Sequence, residues 1–126
     1  MNHILVVDDD PSILLTVSVL LRDEGYTVRT ATNGAEALTE VTREIPSLVL
    51  LDMRMPVMDG WGFKQAVDQL GLDFPIMVMT AARDAAAWAK QIGAGFHLAK
   101  PFDIDVLVDE VKRARRESHD GLTSNE

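Results

Sequence analysis

Side chains that could hold and transfer a phosphoryl group follow four short apolar runs of this sequence. They are carboxylates, a hydroxyl and an amine: Asp8, Asp9 and Asp10 after the first run, Asp52 after the third, Thr80 after the fourth and Lys100 after the fifth. Carboxylates brought close together repel one another unless they share a proton or bind a cation. Oxygen ligands without His or Cys suit Mg²⁺, which shares its shell with water and phosphate. Because a hydroxyl and an ammonium can bind phosphoryl oxygens, the set predicts Mg²⁺-assisted phosphoryl transfer to an aspartate.

The apolar runs are the predicted strands of a parallel sheet, and they comprise Ile4–Val7, Thr27–Ala31, Leu48–Leu51, Ile76–Met79 and Phe96–Ala99. Runs made almost wholly of Val, Ile, Leu and Met are typical of strands covered on both faces. Helical periodicity fills the segments between and after them, with predicted starts at Asp10–Pro11, Asn33–Gly34, Asp59–Gly60, Asp84 and Asp103. The alternation predicts a doubly wound (βα)₅ domain of the α/β class. Ligands of such sheets bind beyond the carboxyl ends of the strands, where the candidate site residues lie.

Length and composition narrow the classes of protein that this chain can be. At 126 residues one domain is expected, and we predict a folded domain over residues 1–117 and a flexible polar tail over residues 118–126. The absence of cysteine excludes disulfides, thiol catalysis and cysteine zinc sites. Twelve Lys and Arg against 20 Asp and Glu give a net charge of −8, which argues against direct nucleic-acid binding. No apolar run reaches about 18 residues and no charged leader is visible, so we expect a cytoplasmic protein without a membrane span.

Four segments together resemble the receiver domain of two-component response regulators, in particular its single-domain chemotaxis and sporulation-phosphorelay members. The segments read ILVVDDD at residues 4–10, LLDMRMPVMDG at 50–60, VMTA at 78–81 and KPF at 100–102. The resemblance covers about residues 3–116. It implies a flavodoxin-like fold with a five-stranded sheet in the order 2-1-3-4-5. It also implies that a phosphohistidine of a sensor histidine kinase or histidine phosphotransfer protein is the donor, and that the downstream partner is a protein.

Roles for individual residues follow from the resemblance wherever the motifs match. Asp9 corresponds to the direct Mg²⁺ ligand, and Asp8 corresponds to the acid that holds the metal through water. Asp52 is expected to be both a metal ligand and the phosphoacceptor. The backbone carbonyl of Arg54 corresponds to the remaining protein ligand. Mn²⁺ is expected to substitute for Mg²⁺.

The remaining roles concern the phosphoryl group itself. Thr80 corresponds to the hydroxyl that turns toward the phosphoryl group, and Lys100 corresponds to the lysine that pairs with it. In this family the bond between that lysine and the following proline, here Pro101, is usually cis, which would direct the amine inward.

Three features depart from the usual pattern of the family. His97 stands where an aromatic switch residue is usual, and the adjacent Phe96 is expected on the opposite face of its strand. The segment from Thr80 to Gly93 is about two residues shorter than usual. Arg54 and Ala82 flank the expected route of a hydrolytic water, and we expect both to slow hydrolysis of an aspartyl phosphate because Arg54 can cover the phosphoryl oxygens and Ala82 cannot orient a water.

Two apolar features outside the site bear on partners. Leu15 and Val19 lie off the apolar stripe of the first helix, and an exposed pair there would suit docking of a partner helix. Trp88 has the spacing of a residue at the edge of the core rather than of a partner anchor.

Several functions remain open at this point. The leading interpretation is a stand-alone receiver that acts as a phosphoacceptor and has no separate substrate, since the length leaves no room for an output domain. The alternative is an N-terminal receiver fragment of a longer transcription factor or enzyme. A phosphatase of the haloacid-dehalogenase type would need a second Asp two residues after the nucleophile, where this chain has Arg54. A binding module with a degenerate acid site is disfavoured because all the site residues are present.

Overall fold

One parallel sheet with helices on both faces accounts for the fold. The computed structural model describes the backbone of residues 3–124 and the side chains of residues 3–81 and 83–117. The strands are β1 (Ile4–Val7), β2 (Val28–Ala31), β3 (Leu48–Asp52), β4 (Ile76–Ala81) and β5 (Phe96–Lys100). The helices are α1 (Pro11–Asp23), α2 (Gly34–Arg43), α3 (Gly60–Gln69), α4 (Ala82–Gln91) and α5 (Ile104–Ser124). The sheet order is β2-β1-β3-β4-β5, which confirms the predicted flavodoxin-like topology.

Two buried apolar layers cover the sheet. On one face α1 and α5 pack against the strands through a cluster that includes Val17, Leu21, Leu107 and Val111. On the other face α2, α3 and α4 pack through a cluster that includes Ala37, Val41, Phe63, Val67 and Ala89. Because both faces are covered, every residue of β1 is completely buried and the strand reads as a continuous apolar run.

Polar caps start the first three helices at the predicted positions. The side chains of Asp10, Asn33 and Asp59 accept backbone N–H groups two or three residues further on, at 2.8–2.9 Å. Such caps satisfy donors that have no partner inside the helix. They also fix where each chain segment leaves the edge of the sheet at which the acidic residues lie.

The start of α4 corrects the sequence prediction. The helix begins at Ala82 rather than Asp84, and Ala81 precedes it without a side-chain cap. β4 runs directly into α4, so no loop residue is present to cap it. Asp84 instead lies in the first turn, where a carboxylate interacts favourably with the helix dipole.

The ends of three strands and of the last helix also differ from expectation. β3, β4 and β5 include Asp52, Thr80 and Lys100, because parallel pairing depends on the backbone and continues past the apolar run. The backbone of α5 is helical to Ser124, past Glu117 where the polar sequence predicts a frayed tail, since polarity prevents burial but not helical backbone. The side chains of residues 118–124, and residues 125–126 altogether, lie outside the described part. No helix within that part is both long and apolar enough to cross a bilayer.

Candidate functional site

Strand register brings the predicted site residues to one edge of the sheet. Val7 pairs with Leu51, so that Asp8 follows β1 beside Asp52 at the end of β3. Asp52 in turn pairs with Met79, the residue before Thr80. One carboxylate oxygen from each of Asp8, Asp9 and Asp52 lies within 4.8 Å of the others. The predicted meeting of three acids and a hydroxyl is therefore a consequence of the strand order.

Lys100 pairs with two of the three acids. Its Nζ is 2.6 Å from Asp8 Oδ2 and 3.7 Å from Asp52 Oδ1. Asp8 is completely buried, and its Oδ1 also accepts the backbone N–H of Asp10 at 2.9 Å. The bond between Lys100 and Pro101 is cis, as the family resemblance implies. The cluster therefore contains one ammonium group and three carboxylates, so its negative charge is not fully neutralised.

The acid–base properties of Asp52 reflect that imbalance. Only 6% of the residue is exposed, and this burial is the main cause that raises the pKa of Asp52 from 3.8 to about 6. The negative charge of Asp8 acts in the same direction. The ammonium of Lys100 and a hydrogen bond from the backbone N–H of Arg54 oppose the rise. An added cation would therefore favour the ionised form of Asp52.

The donor set fits a hard divalent cation. Its three carboxylates offer only oxygen ligands, Asp9 is exposed to solvent, and Lys100 neutralises a single charge. Mg²⁺ is bound in this way, through a few carboxylates and retained waters, with positions left for phosphate. The residues present therefore fit the ion that the sequence predicts, although the carbonyl of Arg54 as a further ligand stays a prediction.

The side chain of Arg54 has a partner that the sequence does not reveal. Its guanidinium carbon lies 5.1 Å from the centroid of the Trp88 ring. Trp88 is half-buried at the edge of the core, as predicted, and contacts Trp61 edge-on with ring centroids 4.9 Å apart. The indole N–H of Trp61 donates to Gln91 Oε1 at 3.1 Å. Residues 54, 61 and 88 lie in a loop and two helices, so no periodic pattern links them.

His97 and Phe96 point to opposite faces of β5, as expected. His97 pairs with Val78 in the register and is exposed. Phe96 is half-buried against the α1 and α5 layer, where the guanidinium carbon of Arg113 lies 5.1 Å from its ring centroid. The side chain of Ala82, the second residue expected beside the water route, lies outside the described residues.

The loop between β3 and α3 holds a second feature that the sequence does not indicate. Val57 is 84% exposed and has φ of 71°, a left-handed conformation that is costly for a β-branched residue. The loop ends at Gly60, where an added Cβ would lie 2.9 Å from Met53 Cα and 3.1 Å from the Asp52 carbonyl oxygen. Gly60 thus lets the loop turn back directly against the strand that carries Asp52.

The surface beside the site includes the apolar pair of the first helix. Leu15 and Val19 are exposed, at 66% and 53%, which agrees with their predicted place off the core stripe. A groove of about 460 Å³ lies between α1 and the segment that leaves the end of β5, lined in part by Ile13, Lys100 and Phe102. Docking of a partner on this surface stays a prediction.

Comparisons with known proteins agree with this geometry. A family model described as the response regulator receiver domain matches residues 4–112. Sporulation initiation phosphotransferase F of Bacillus subtilis is 41% identical over 114 residues, which are 89% of this chain and 92% of that protein. The transcriptional regulator NtrC of Escherichia coli is 43% identical over 86% of this chain, but the match spans only 24% of NtrC.

Two solved structures of similar proteins superimpose closely on this chain. Chemotaxis protein CheY4 of Vibrio cholerae superimposes with a TM-score of 0.80 at 34% identity and covers 90% of this chain and 98% of its own. The receiver domain of NtrX from Brucella abortus gives a TM-score of 0.81 at 30% identity, with the same two coverages.

Proposed function

The chain belongs to the response regulator receiver domain family, whose members are phosphoacceptors in phosphorelay signalling, and on that premise we propose that Asp52 accepts the phosphoryl group. The observation that supports this assignment is the burial of Asp52 among two further acids and one lysine at the carboxyl edge of the sheet. Asp52 is the member of this cluster that lies at the end of a central strand.

Transfer would proceed by attack of an Asp52 carboxylate oxygen on phosphorus. The bond from phosphorus to the donor imidazole nitrogen breaks, its electron pair stays on that nitrogen, and an acyl phosphate forms on Asp52. Mg²⁺, held by Asp8, Asp9, Asp52 and the carbonyl of Arg54, would supply the positive charge that lets an anionic donor approach.

Two other side chains would bind the transferred group. Lys100 already lies 3.7 Å from Asp52 Oδ1, so its ammonium can pair with a phosphoryl group on that carboxylate. Thr80 is at the end of the neighbouring strand, from which its hydroxyl can donate to a phosphoryl oxygen. The residues therefore act on the chain's own carboxylate, and no separate substrate is turned over.

The proposed donor is a phosphohistidine of a sensor histidine kinase or histidine phosphotransfer protein in the cytoplasm. The likeness to a sporulation phosphotransferase that is similar over almost its whole length supports this proposal. The match covers about a quarter of NtrC, which is compatible with the alternative that this receiver is part of a longer regulator. A receiver domain over residues 1–117 remains part of the proposal.

Intact-mass measurement after incubation with acetyl phosphate tests the assignment of Asp52. We expect the wild-type chain to gain one phosphoryl group with Mg²⁺ and none with EDTA. Asp52→Asn should gain none under either condition, because the amide oxygen is a far weaker nucleophile than a carboxylate. Equal labelling of wild type and Asp52→Asn would contradict the proposal.

Asp59→Asn is the matched control for that substitution. Asp59 is an exposed aspartate in the loop after β3, and Asn caps a helix about as well as Asp does. The control should label like the wild type. Loss of labelling in Asp59→Asn as well as Asp52→Asn would mean that damage to the loop, rather than loss of the acceptor, explains the result.

A further inference from the structure

Arg54 lies between the acid cluster and a tryptophan on α4. It follows Asp52 by two residues in the chain, and its backbone N–H favours the ionised form of the Asp52 carboxylate, so its main chain is beside the proposed acceptor. Its exposed side chain extends to Trp88, with the guanidinium carbon 5.1 Å from the ring centroid. Within the described residues, the ion pairs of Asp8 and Asp52 are with Lys100 and not with Arg54. The guanidinium is thus attached to an aromatic face and not to a carboxylate.

The aromatic partner is itself fixed between two helices. Trp88 belongs to α4 and meets Trp61 of α3 edge-on. Trp61 also contacts α4 through the hydrogen bond that its indole N–H donates to Gln91. These are the two tryptophans of the chain. The contact of Arg54 with Trp88 therefore connects the loop after Asp52 to the packing of α3 against α4.

A phosphoryl group on Asp52 would compete for this guanidinium. It adds close to two negative charges, and arginine binds phosphoryl oxygens through paired, charge-assisted hydrogen bonds. A cation–π contact at an exposed site is the weaker of the two interactions. The stronger partner would therefore draw the guanidinium away from the ring.

We propose that Arg54 is shared between Trp88 and the phosphoryl group, so that Trp88 is a positioning residue for the reaction at Asp52. This inference rests on the proposed function of Asp52. Before phosphorylation Trp88 holds the guanidinium on α4. After phosphorylation the guanidinium moves to the phosphoryl oxygens and obstructs the water that would hydrolyse the acyl phosphate. Because the ring of Trp88 competes for the guanidinium, it shortens the time that Arg54 spends at the phosphoryl group. While Arg54 is at the phosphoryl group, the aromatic contact between α3 and α4 has no cation beside it.

Tryptophan fluorescence tests the movement, with beryllofluoride and Mg²⁺ as the phosphoryl mimic. Because both tryptophans lie in this cluster, we expect the emission of the wild type to change when the mimic binds. Arg54→Gln should bind the mimic without that change. Arg83→Gln, which removes an exposed arginine of α4, is the matched control and should respond like the wild type. Equal responses of wild type and Arg54→Gln would overturn the proposal.

Decay of the phosphorylated protein tests the competition. Trp88→Leu should slow decay by about two- to fivefold, the factor by which an exposed cation–π contact shifts an equilibrium. Trp88→Phe keeps an aromatic face and should decay nearly as the wild type does. In the Arg54→Gln background, Trp88→Leu should have no effect, because the competing guanidinium is gone. An equal effect of Trp88→Leu in both backgrounds would show a merely structural role and overturn the proposal.

The same samples separate this inference from the proposed function. If Asp52→Asn labels as the wild type does, the acceptor assignment fails and the competition fails with it. If labelling depends on Asp52 but the fluorescence and the double-mutant comparison show no coupling of Arg54 to Trp88, only the shared-arginine proposal fails.

Discussion

The apolar segments of β1 and β3 and the carboxylates that directly follow those segments affect stability in opposite directions. Over Ile4–Val7 and Leu48–Leu51 every side chain is apolar and completely buried. The next residues, Asp8 and Asp52, are also buried, but they are carboxylates that face each other with one lysine between them. The apolar segments stabilise the fold, whereas the acidic ends raise the pKa of Asp52 and cost stability when it ionises. Replacement of two residues of the same strand can therefore change the free energy of unfolding in opposite directions.

Truncation of the buried segment should produce the largest effect. Leu50 lies two residues before Asp52 and is completely buried in the α1 and α5 layer. Leu50→Ala should lower the free energy of unfolding by about 3–4 kcal/mol, because it removes buried methyl groups and leaves a cavity. Urea unfolding followed by circular dichroism measures this. A cost below about 1 kcal/mol would mean that the layer is not closely packed at this residue.

Removal of the charge at the acidic end should have the opposite sign. In metal-free protein at pH 7, Asp52→Asn should raise the free energy of unfolding by about 3 kcal/mol, since the pKa of Asp52 rises from 3.8 to about 6 and each pKa unit corresponds to about 1.4 kcal/mol. The folded protein holds the Asp52 proton up to a pKa of about 6, against 3.8 when unfolded. Stability of the wild type therefore falls as pH rises between these values. The advantage of Asp52→Asn should be complete above pH 6 and absent below about pH 4.

The same unfolding curves contain the control for that prediction. Asp59→Asn changes an exposed helix cap without altering the acid cluster. Its free energy of unfolding should stay within about 0.5 kcal/mol of that of the wild type, both at pH 7 and below about pH 4. An Asp52→Asn protein that is less stable than the wild type at pH 7 without metal would show that the ionised carboxylate stabilises the fold.

Backbone strain beside the site should give the smallest effect. Val57→Gly should stabilise the protein by about 1 kcal/mol, because glycine adopts the φ of 71° without the steric cost that valine carries, less the entropy that glycine loses on folding. Val57→Ala removes the β-branch but keeps Cβ, so its gain should be smaller. Thermal unfolding distinguishes them. If Val57→Gly destabilises the chain, this loop is not strained.

Much of the fold and of the acid cluster can be predicted from the sequence because both depend on simple patterns. Continuous apolar runs identify buried parallel strands, and the order of strands and helices then places Asp8, Asp52 and Lys100 at one edge. The capping residues Asp10 and Asn33 mark helix starts for an equally local reason.

Other features depend on tertiary structure and leave no such pattern. The contact of Arg54 with Trp88 joins a loop to a distant helix, and nothing in the spacing of the two residues pairs them. A left-handed residue is usually signalled by glycine, but Val57 carries this conformation here. The prediction for the start of α4 is wrong because the capping rule presumes a loop before the helix, and β4 leads into α4 without one.

The central claim is that the buried carboxylates lower the free energy of unfolding without metal and bind a cation. Measuring the unfolding of the wild type and Asp52→Asn across a Mg²⁺ titration tests this claim most directly. Without metal, Asp52→Asn should be the more stable protein at pH 7. Mg²⁺ at about 1,000 times its dissociation constant should stabilise the wild type by about 4 kcal/mol, whereas Asp52→Asn, which lacks one ligand charge, should gain much less. The order of stability should therefore reverse. Equal stabilisation of both proteins by Mg²⁺, or none of either, would contradict the assignment of Asp52 to a metal-dependent phosphoryl site.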